Sequence, residues 1–203
     1  MTLQVWLLFC MTETVLCLIP GPAVLFVVSV AISRGIRPGL SAALGILSGN
    51  VLYFALSATG VAAVLIASSS LFNLLKLVGA GYLIWLGLRM LLMRAGEPAG
   101  IPATPDRRIL LRGFLVQTSN PKALVFFLAL LPQFINPESA VAWQILILGA
   151  SSVLIEFLVL GVYIVLAARA RQLAGARLAG PIERIGGGFL VAVGTHLAIF
   201  RSE

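Results

Sequence analysis

Lys122 and Glu156 are the ionisable side chains that a long apolar sequence has least reason to hold. Lys122 stands inside the run from Ile109 to Pro132, and Glu156 is the sole carboxylate or basic residue between Ile145 and Ala168. A lysine at the centre of a membrane span costs roughly 2.5–3.5 kcal/mol, so it needs a partner or a hydrated cavity. Its ammonium could hold a carboxylate, form a structural ion pair with Glu156, or snorkel. Glu156 could receive an ammonium group, or it could carry a proton as its exposure alternates between two aqueous phases. Two proline motifs accompany these charges: Pro20-Gly21-Pro22 in the run from Leu3 to Ile32, and Asn120-Pro121-Lys122 in the second run. Proline removes a backbone donor and clashes with the preceding turn, so each run is expected to hold two half-helices. The amino end of a half-helix concentrates N–H groups and partial positive charge, which suits an anion.

Depth can be counted from the arginines. At about 1.5 Å per helical residue, Pro22 lies about 18 Å from Arg34 and Asn50 about 20 Å from Arg37. Lys122 lies about 15 Å from Arg112, and Glu156 about 20 Å from Arg169. All four fall near the midplane of a hydrocarbon core about 30 Å thick. Asn50 there could bridge helices or bind a ligand. Glu13 is a weaker candidate: on a straight helix it lies about 30 Å from Arg34, in the outer half of the membrane or at its interface. It could line a vestibule or be a solvated surface carboxylate. His196 is the single histidine and has no cysteine or acidic cluster around it, so neither a metal nor a cofactor is expected. Cys10 and Cys17 on one helix would have Cα atoms about 10 Å apart, too far for a mutual disulfide. They read as buried, inert thiols.

The elements that must position these residues follow from composition. Of 203 residues, 60% are hydrophobic and 10% charged, with a mean hydropathy of +1.08. A soluble domain carries about 25% charged residues, so an integral membrane protein is expected. Six apolar segments can be drawn, at 3–33, 38–67, 71–93, 109–132, 141–168 and 182–200, each able to supply the roughly 20 residues of a transmembrane helix. The expected fold is therefore all-α: one transporter domain over 1–203, with halves 1–93 and 109–203. The joining linker 94–108 contains Pro98, Pro102 and Pro105. Val78-Gly79-Ala80-Gly81-Tyr82-Leu83-Ile84 through Gly87 matches Ile185-Gly186-Gly187-Gly188-Phe189-Leu190-Val191 through Gly194 at an offset of 107. Three spans per half, an odd number, makes the repeats inverted in the membrane. The first and fourth helices are the ones broken at proline motifs.

Charge orients the chain. Arg34 and Arg37 lie after the first segment, and Arg89, Arg94, Arg107, Arg108 and Arg112 flank the third connection. Arg169, Arg171, Arg177 and Arg184 flank the fifth, while the opposite side has Lys76 and Arg201. The positive-inside rule puts the odd connections in the cytoplasm and both termini in the periplasm. Basic residues flanking apolar segments are what membrane insertion requires, which argues against a nucleic-acid partner for the net charge of +7. Ser41, Gly45, Gly49 and Tyr53 recur every four positions on the second segment and form a face that another helix can approach closely.

These motifs resemble the LysE/RhtB family of bacterial amino-acid exporters over almost the whole chain. The resemblance is carried by Pro20-Gly21-Pro22, then Arg34-Gly35-x-x-Pro38-Gly39 and Gly45-x-x-x-Gly49. It continues in Gly79-Ala80-Gly81-Tyr82-Leu83 with Gly87-Leu88-Arg89, and in Asn120-Pro121-Lys122-Ala123 running to Leu131-Pro132-Gln133-Phe134. It implies a six-span exporter of the bacterial inner membrane, acting on amino acids or their derivatives and driven by the proton gradient. Many relatives carry an acid directly after the Pro-Gly-Pro motif, where this chain has Ala23, so Glu13 or Glu156 is the candidate substitute. An amino acid offers a carboxylate to Lys122 and the half-helix ends at Pro20, Gly21, Pro22, Asn120 and Pro121, and an ammonium to Glu156. Rocking of the two halves would open such a site to each side in turn. Two other readings stay open, a passive channel for small polar solutes and an intramembrane redox carrier or enzyme. The latter would need a CxxC pair, a metal cluster or a nucleophile–base arrangement, and the sequence contains none. A homo-oligomer is left open.

Overall fold

The computed structural model describes residues 1–59, 69–92, 106–174 and 179–199, which are helical apart from short turns and caps, with no strand among them. Helix α1 spans Leu3–Leu18 and α2 spans Pro22–Arg34. The hydroxyl of Thr2 caps α1 by accepting from the Val5 N–H. The chain turns extended at Ile19 and Gly21, and α2 restarts with Pro22 in its first turn, where a missing N–H leaves no bond unmade. The two axes meet at 54°. Gly35 then connects α2 directly to α3 (Ile36–Ala58) with φ of 91°, a left-handed conformation that other residues rarely adopt.

Helix α4 covers Ser69–Leu91, α5 covers Asp106–Thr118 and α6 covers Pro121–Val125. The chain continues as a π-helical turn, Phe126–Leu130, and a 3-10 turn, Leu131–Phe134. Helix α7 runs over Val141–Ala174 and α8 over Ala179–Ile199. Several sequence boundaries move. Residues 106–108 belong to α5 rather than to the linker, because Asp106 in the first turn complements the helix dipole. Helix α7 continues past residue 168 through Ala-Arg-Ala-Arg-Gln-Leu-Ala, which is rich in good helix formers. Helix α3 stops at Ala58, where the Thr59 hydroxyl donates to the Leu56 carbonyl. Residues 60–67 of the second segment, linker residues 94–105, Arg177 and Arg201 lie outside the described residues, as do the side chains of Lys76, Arg89 and His196.

Two described helices, α3 and Val141–Gln172 of α7, are long and apolar enough to cross a membrane, and the bent α1–α2 pair is a third candidate. The distribution of polarity agrees. Leu3, Leu7, Met11 and Val15 on α1 and Leu146, Leu154, Leu158 and Val162 on α7 face outward and exposed, while Glu13, Asn50, Gln117, Asn120, Ser152 and Glu156 are buried. Apolar outside and polar at the centre is the arrangement of an integral membrane protein.

Packing is set by small residues. A Cβ on Gly45 would lie 2.1 Å from the Leu110 carbonyl oxygen, and one on Gly113 would lie 2.4 Å from that of Ala42. Helices α3 and α5 thus meet backbone to backbone. Helix α4 runs along α8, and a Cβ on Gly87 would lie 2.5 Å from the Gly187 oxygen. Helix α2 touches α3, α5, α7 and α8. Its Val27 and Val30 are buried in one core with Ile46, Ile109, Val116, Leu160 and Ile164.

Candidate functional site

The two proline breaks meet, and each is held by side chains from elsewhere in the chain. Lys122 reaches the first: its ammonium donates to the carbonyl of Leu16 and, at 2.9 Å, to that of Ile19. Its stem passes Gly21, where a Cβ would lie 3.7 Å from Lys122 Cδ. The Tyr163 hydroxyl on α7 donates to the Leu18 carbonyl at 2.9 Å. At the second break the Tyr53 hydroxyl on α3 donates to the Thr118 carbonyl at 2.7 Å. Carbonyls released where a helix ends in an apolar medium would otherwise cost several kcal/mol each. Lys122 therefore caps the carboxyl end of α1 instead of pairing with Glu156, and the Glu156 ion pair expected as one alternative is not its bond.

A chain of buried amides joins the second break to Glu156. The Lys122 N–H donates to Asn120 Oδ1 at 3.1 Å, and Asn120 Nδ2 donates to Gln117 Oε1 at 3.1 Å. Gln117 Nε2 then donates to Asn50 Oδ1, and Asn50 Nδ2 donates to Glu156 Oε2. Asn120, Gln117, Asn50 and Glu156 are 3%, 4%, 4% and 9% exposed. Each amide satisfies one neighbour and is satisfied by the next, as buried polar groups require.

Glu13 lies on α1, and its partner Ser152 stands one turn before Glu156 on α7. Glu13 is 5% exposed, and its Oε1 accepts from the Ser152 hydroxyl at 2.5 Å, with the Cys17 thiol 3.8 Å away. The straight-helix estimate put this carboxylate in the outer half of the membrane or at its interface, lining a vestibule or solvated. The 54° bend between α1 and α2 draws it inward, and Glu13 is buried and lines the same cavity as Glu156.

That cavity has a volume of about 50 Å³, room for a few waters. Glu13, Gly21, Asn50, Asn120, Lys122 and Glu156 all line it. Pro20, Pro22 and Pro121 shape the breaks without lining it. Helix α2 begins with no side-chain cap, and the first-turn amides of Ala23 and Val24, which have no acceptor within the helix, belong to cavity-lining residues. Leu16, Val24, Phe126, Phe127, Val159 and Leu160 form the apolar wall. Phe127 stacks on Tyr53 with ring centres 4.9 Å apart and meets Phe54 edge-on at 4.7 Å. Phe126 and Phe127 open the π-helical turn, a distortion frequent at functional sites.

Gln117, Ser152, Tyr53, Tyr163, Phe126 and Phe127 escaped the sequence reading as site residues. Gln117 carried a usable signal: it precedes Asn120 by three residues, one helical turn, and shares its face. The others are residue types common in any apolar helix, and only the fold brings them to the breaks.

A lipid-facing helical shell around a buried polar cavity, with helices broken at its wall, defines a membrane translocator. The chain belongs to the LysE family: the LysE type translocator family matches residues 14–201. Members of that family are transporters and not enzymes. The chain is similar to a homoserine/homoserine lactone efflux protein of Salmonella typhimurium, 32% identical over 206 residues and 99% of each chain. It is also similar to a leucine efflux protein of Enterobacter, 36% identical over 145 residues, 70% of this chain and 69% of the relative. An uncharacterized membrane protein of Vibrio cholerae is 32% identical over 98% of each chain. No solved structure matches.

Proposed function

We propose that this chain exports amino acids or their derivatives across the bacterial inner membrane in exchange for protons. The observation that carries the reading is the meeting of complementary groups in one partly enclosed cavity. The uncapped amino end of α2 and the third donor of the Lys122 ammonium can address a carboxylate. Glu156, with Glu13 nearby, can address an ammonium or hold a proton. The apolar wall suits an uncharged side chain, in keeping with relatives named for leucine and homoserine efflux. The two helix breaks at the cavity wall are where two halves could part to admit substrate, which favours a carrier over an open channel.

In this reading the chain has six spans in two inverted repeats, with α1–α2 corresponding to α5–α6, α3 to α7 and α4 to α8. Contacts support the exchange. Helix α3 packs on α5 as α7 packs on α1 and α2, and α4 packs on its own counterpart α8. Tyr53 on α3 holds the break after α5 as Tyr163 on α7 holds the break after α1. Such repeats rock about a central site in alternating access.

Inside-out vesicles given an acidic interior and screened with labelled amino acids test the proposal. One or a few neutral amino acids should accumulate, an uncoupler should abolish accumulation, and unlabelled substrate inside should drive counterflow. Downhill flux without counterflow would make the protein a channel.

A further inference from the structure

We propose that Gln117 is a positioning residue that makes proton and substrate ammonium compete for a single oxygen of Glu156. The direction of the amide chain is fixed at one end by a group that cannot be turned round. The Lys122 N–H is a backbone donor, so the Asn120 atom 3.1 Å away must be its oxygen. Asn120 then presents its NH₂ to Gln117, which must answer with its own oxygen at 3.1 Å. Gln117 in turn presents NH₂ to Asn50 Oδ1, and Asn50 presents NH₂ to Glu156 Oε2. Turning any one amide would set donor against donor and acceptor against acceptor in a buried site, a penalty of about 1–3 kcal/mol per unsatisfied group.

The consequence falls on Glu156. An oxygen that always faces an N–H remains an acceptor and takes no proton, so a proton enters or leaves at Oε1 alone. An ammonium N–H also needs a bare acceptor, and the same Oε1 supplies it. Proton and ammonium then exclude each other, which is the condition for exchange rather than co-transport. Among the described residues, Glu13 and Cys17 on α1 and Lys122 on α6 are the other titratable groups lining the cavity, and its α2 and α3 residues contribute none. Glu13 has its own donor in Ser152 and stands outside the amide chain.

This rests on the proposed role of Glu156 and is tested by kinetics that separate the two. Initial export rates are measured against pH in inside-out vesicles, with labelled L-leucine and L-homoserine as probes alongside any amino acid found in the screen. In the native chain the apparent KM should rise by up to about tenfold for each tenfold rise in proton concentration, with kcat unchanged. In Gln117→Met, Asn50 can turn, and in Asn50→Leu its donor is gone; the lock is lost in both, so Oε2 can also be protonated. KM should then level off as pH falls while kcat declines. Asn50→Leu is close to asparagine in size, adds no titratable group, and decides the matter if Gln117→Met is not inserted. If Glu156→Gln keeps the native pH dependence, the role of Glu156 itself is wrong. If Glu156→Gln abolishes transport or removes that dependence but both lock variants stay strictly competitive, the amide lock alone is overturned.

Discussion

Lys122 has two of its three donors on backbone carbonyls of the first break, so its charge and its hydrogen bonds can be separated by substitution. Lys122→Gln keeps a donor for one carbonyl and removes the charge. It should insert and melt near the native temperature but export poorly. Lys122→Ala leaves both carbonyls without a side-chain donor and should lose about 1–3 kcal/mol of stability as well. Thermal unfolding in detergent beside vesicle export resolves the two, and a Gln variant exporting at the native rate would make Lys122 a cap and nothing more. Glu156→Gln should abolish both gradient-driven accumulation and amino-acid exchange, because its amide oxygen must answer the Asn50 N–H and its NH₂ then stands where the ammonium needs an acceptor. Glu13→Gln should be milder, because its partner is a hydroxyl that can turn to serve an amide. Accumulation by Glu156→Gln at native pH dependence would shift the coupling role to Glu13. The polar residue types were legible in the sequence because lipid makes each of them costly. Their partners were not, since Asn50 and Glu156 stand on helices 106 positions apart and only tertiary packing decides which groups meet.

Both proline motifs do end a helix, and that much follows from backbone chemistry. The form of the second break does not: α6 has five residues before the chain passes into π and 3-10 turns, and no propensity announces this. The spacing of Gly45 and Gly49 marked a close helix contact, but not the partner, which is α5 at Leu110, Phe114 and Gln117. Helix α5 itself was recognisable from its apolar run, whereas its first turn was hidden inside a proline-rich, charged stretch. The contact makes a sharp prediction. A methyl group at Gly45 would sit 2.1 Å from a backbone oxygen, so neither side chain can move aside, and α3 and α5 must separate. Gly45→Ala should cost at least about 1–3 kcal/mol, the range for overpacked cores. Among the described residues nothing lies within 4 Å of the methyl positions at Gly81 and Gly161, so Ala there should be neutral or slightly stabilising. Melting temperatures of the three variants in one detergent provide the comparison. Equal values would mean that α3 and α5 are not in backbone contact.

At the scale of the whole molecule, charge asymmetry and the exchange of packing partners constrain the same quantity, which is how the chain sits in the bilayer. Eleven basic residues flank the odd connections and two flank the opposite side, so insertion should leave the amino terminus in the periplasm and the end of α7 in the cytoplasm. The proposed inversion of the repeats adds a second requirement. With an odd number of spans per half, the α2–α3 junction at Gly35 and the region after α7 must face the same side. The structure puts Arg171 3.4 Å from the methyl position of Gly35, which brings those two ends together. Thr2 and Gln172 are exposed at opposite ends of this scheme. In a chain with Cys10 and Cys17 replaced by alanine, Thr2→Cys should react with a membrane-impermeant thiol reagent in intact cells. Gln172→Cys should react only after the membrane is opened. Labelling of both from outside would contradict the span count, and reversal of the pattern would contradict the orientation. In the reversed case the proton gradient would still drive export, because an antiporter's direction is set by the gradients and not by its orientation, and only the faces from which Glu156 is reached would exchange places.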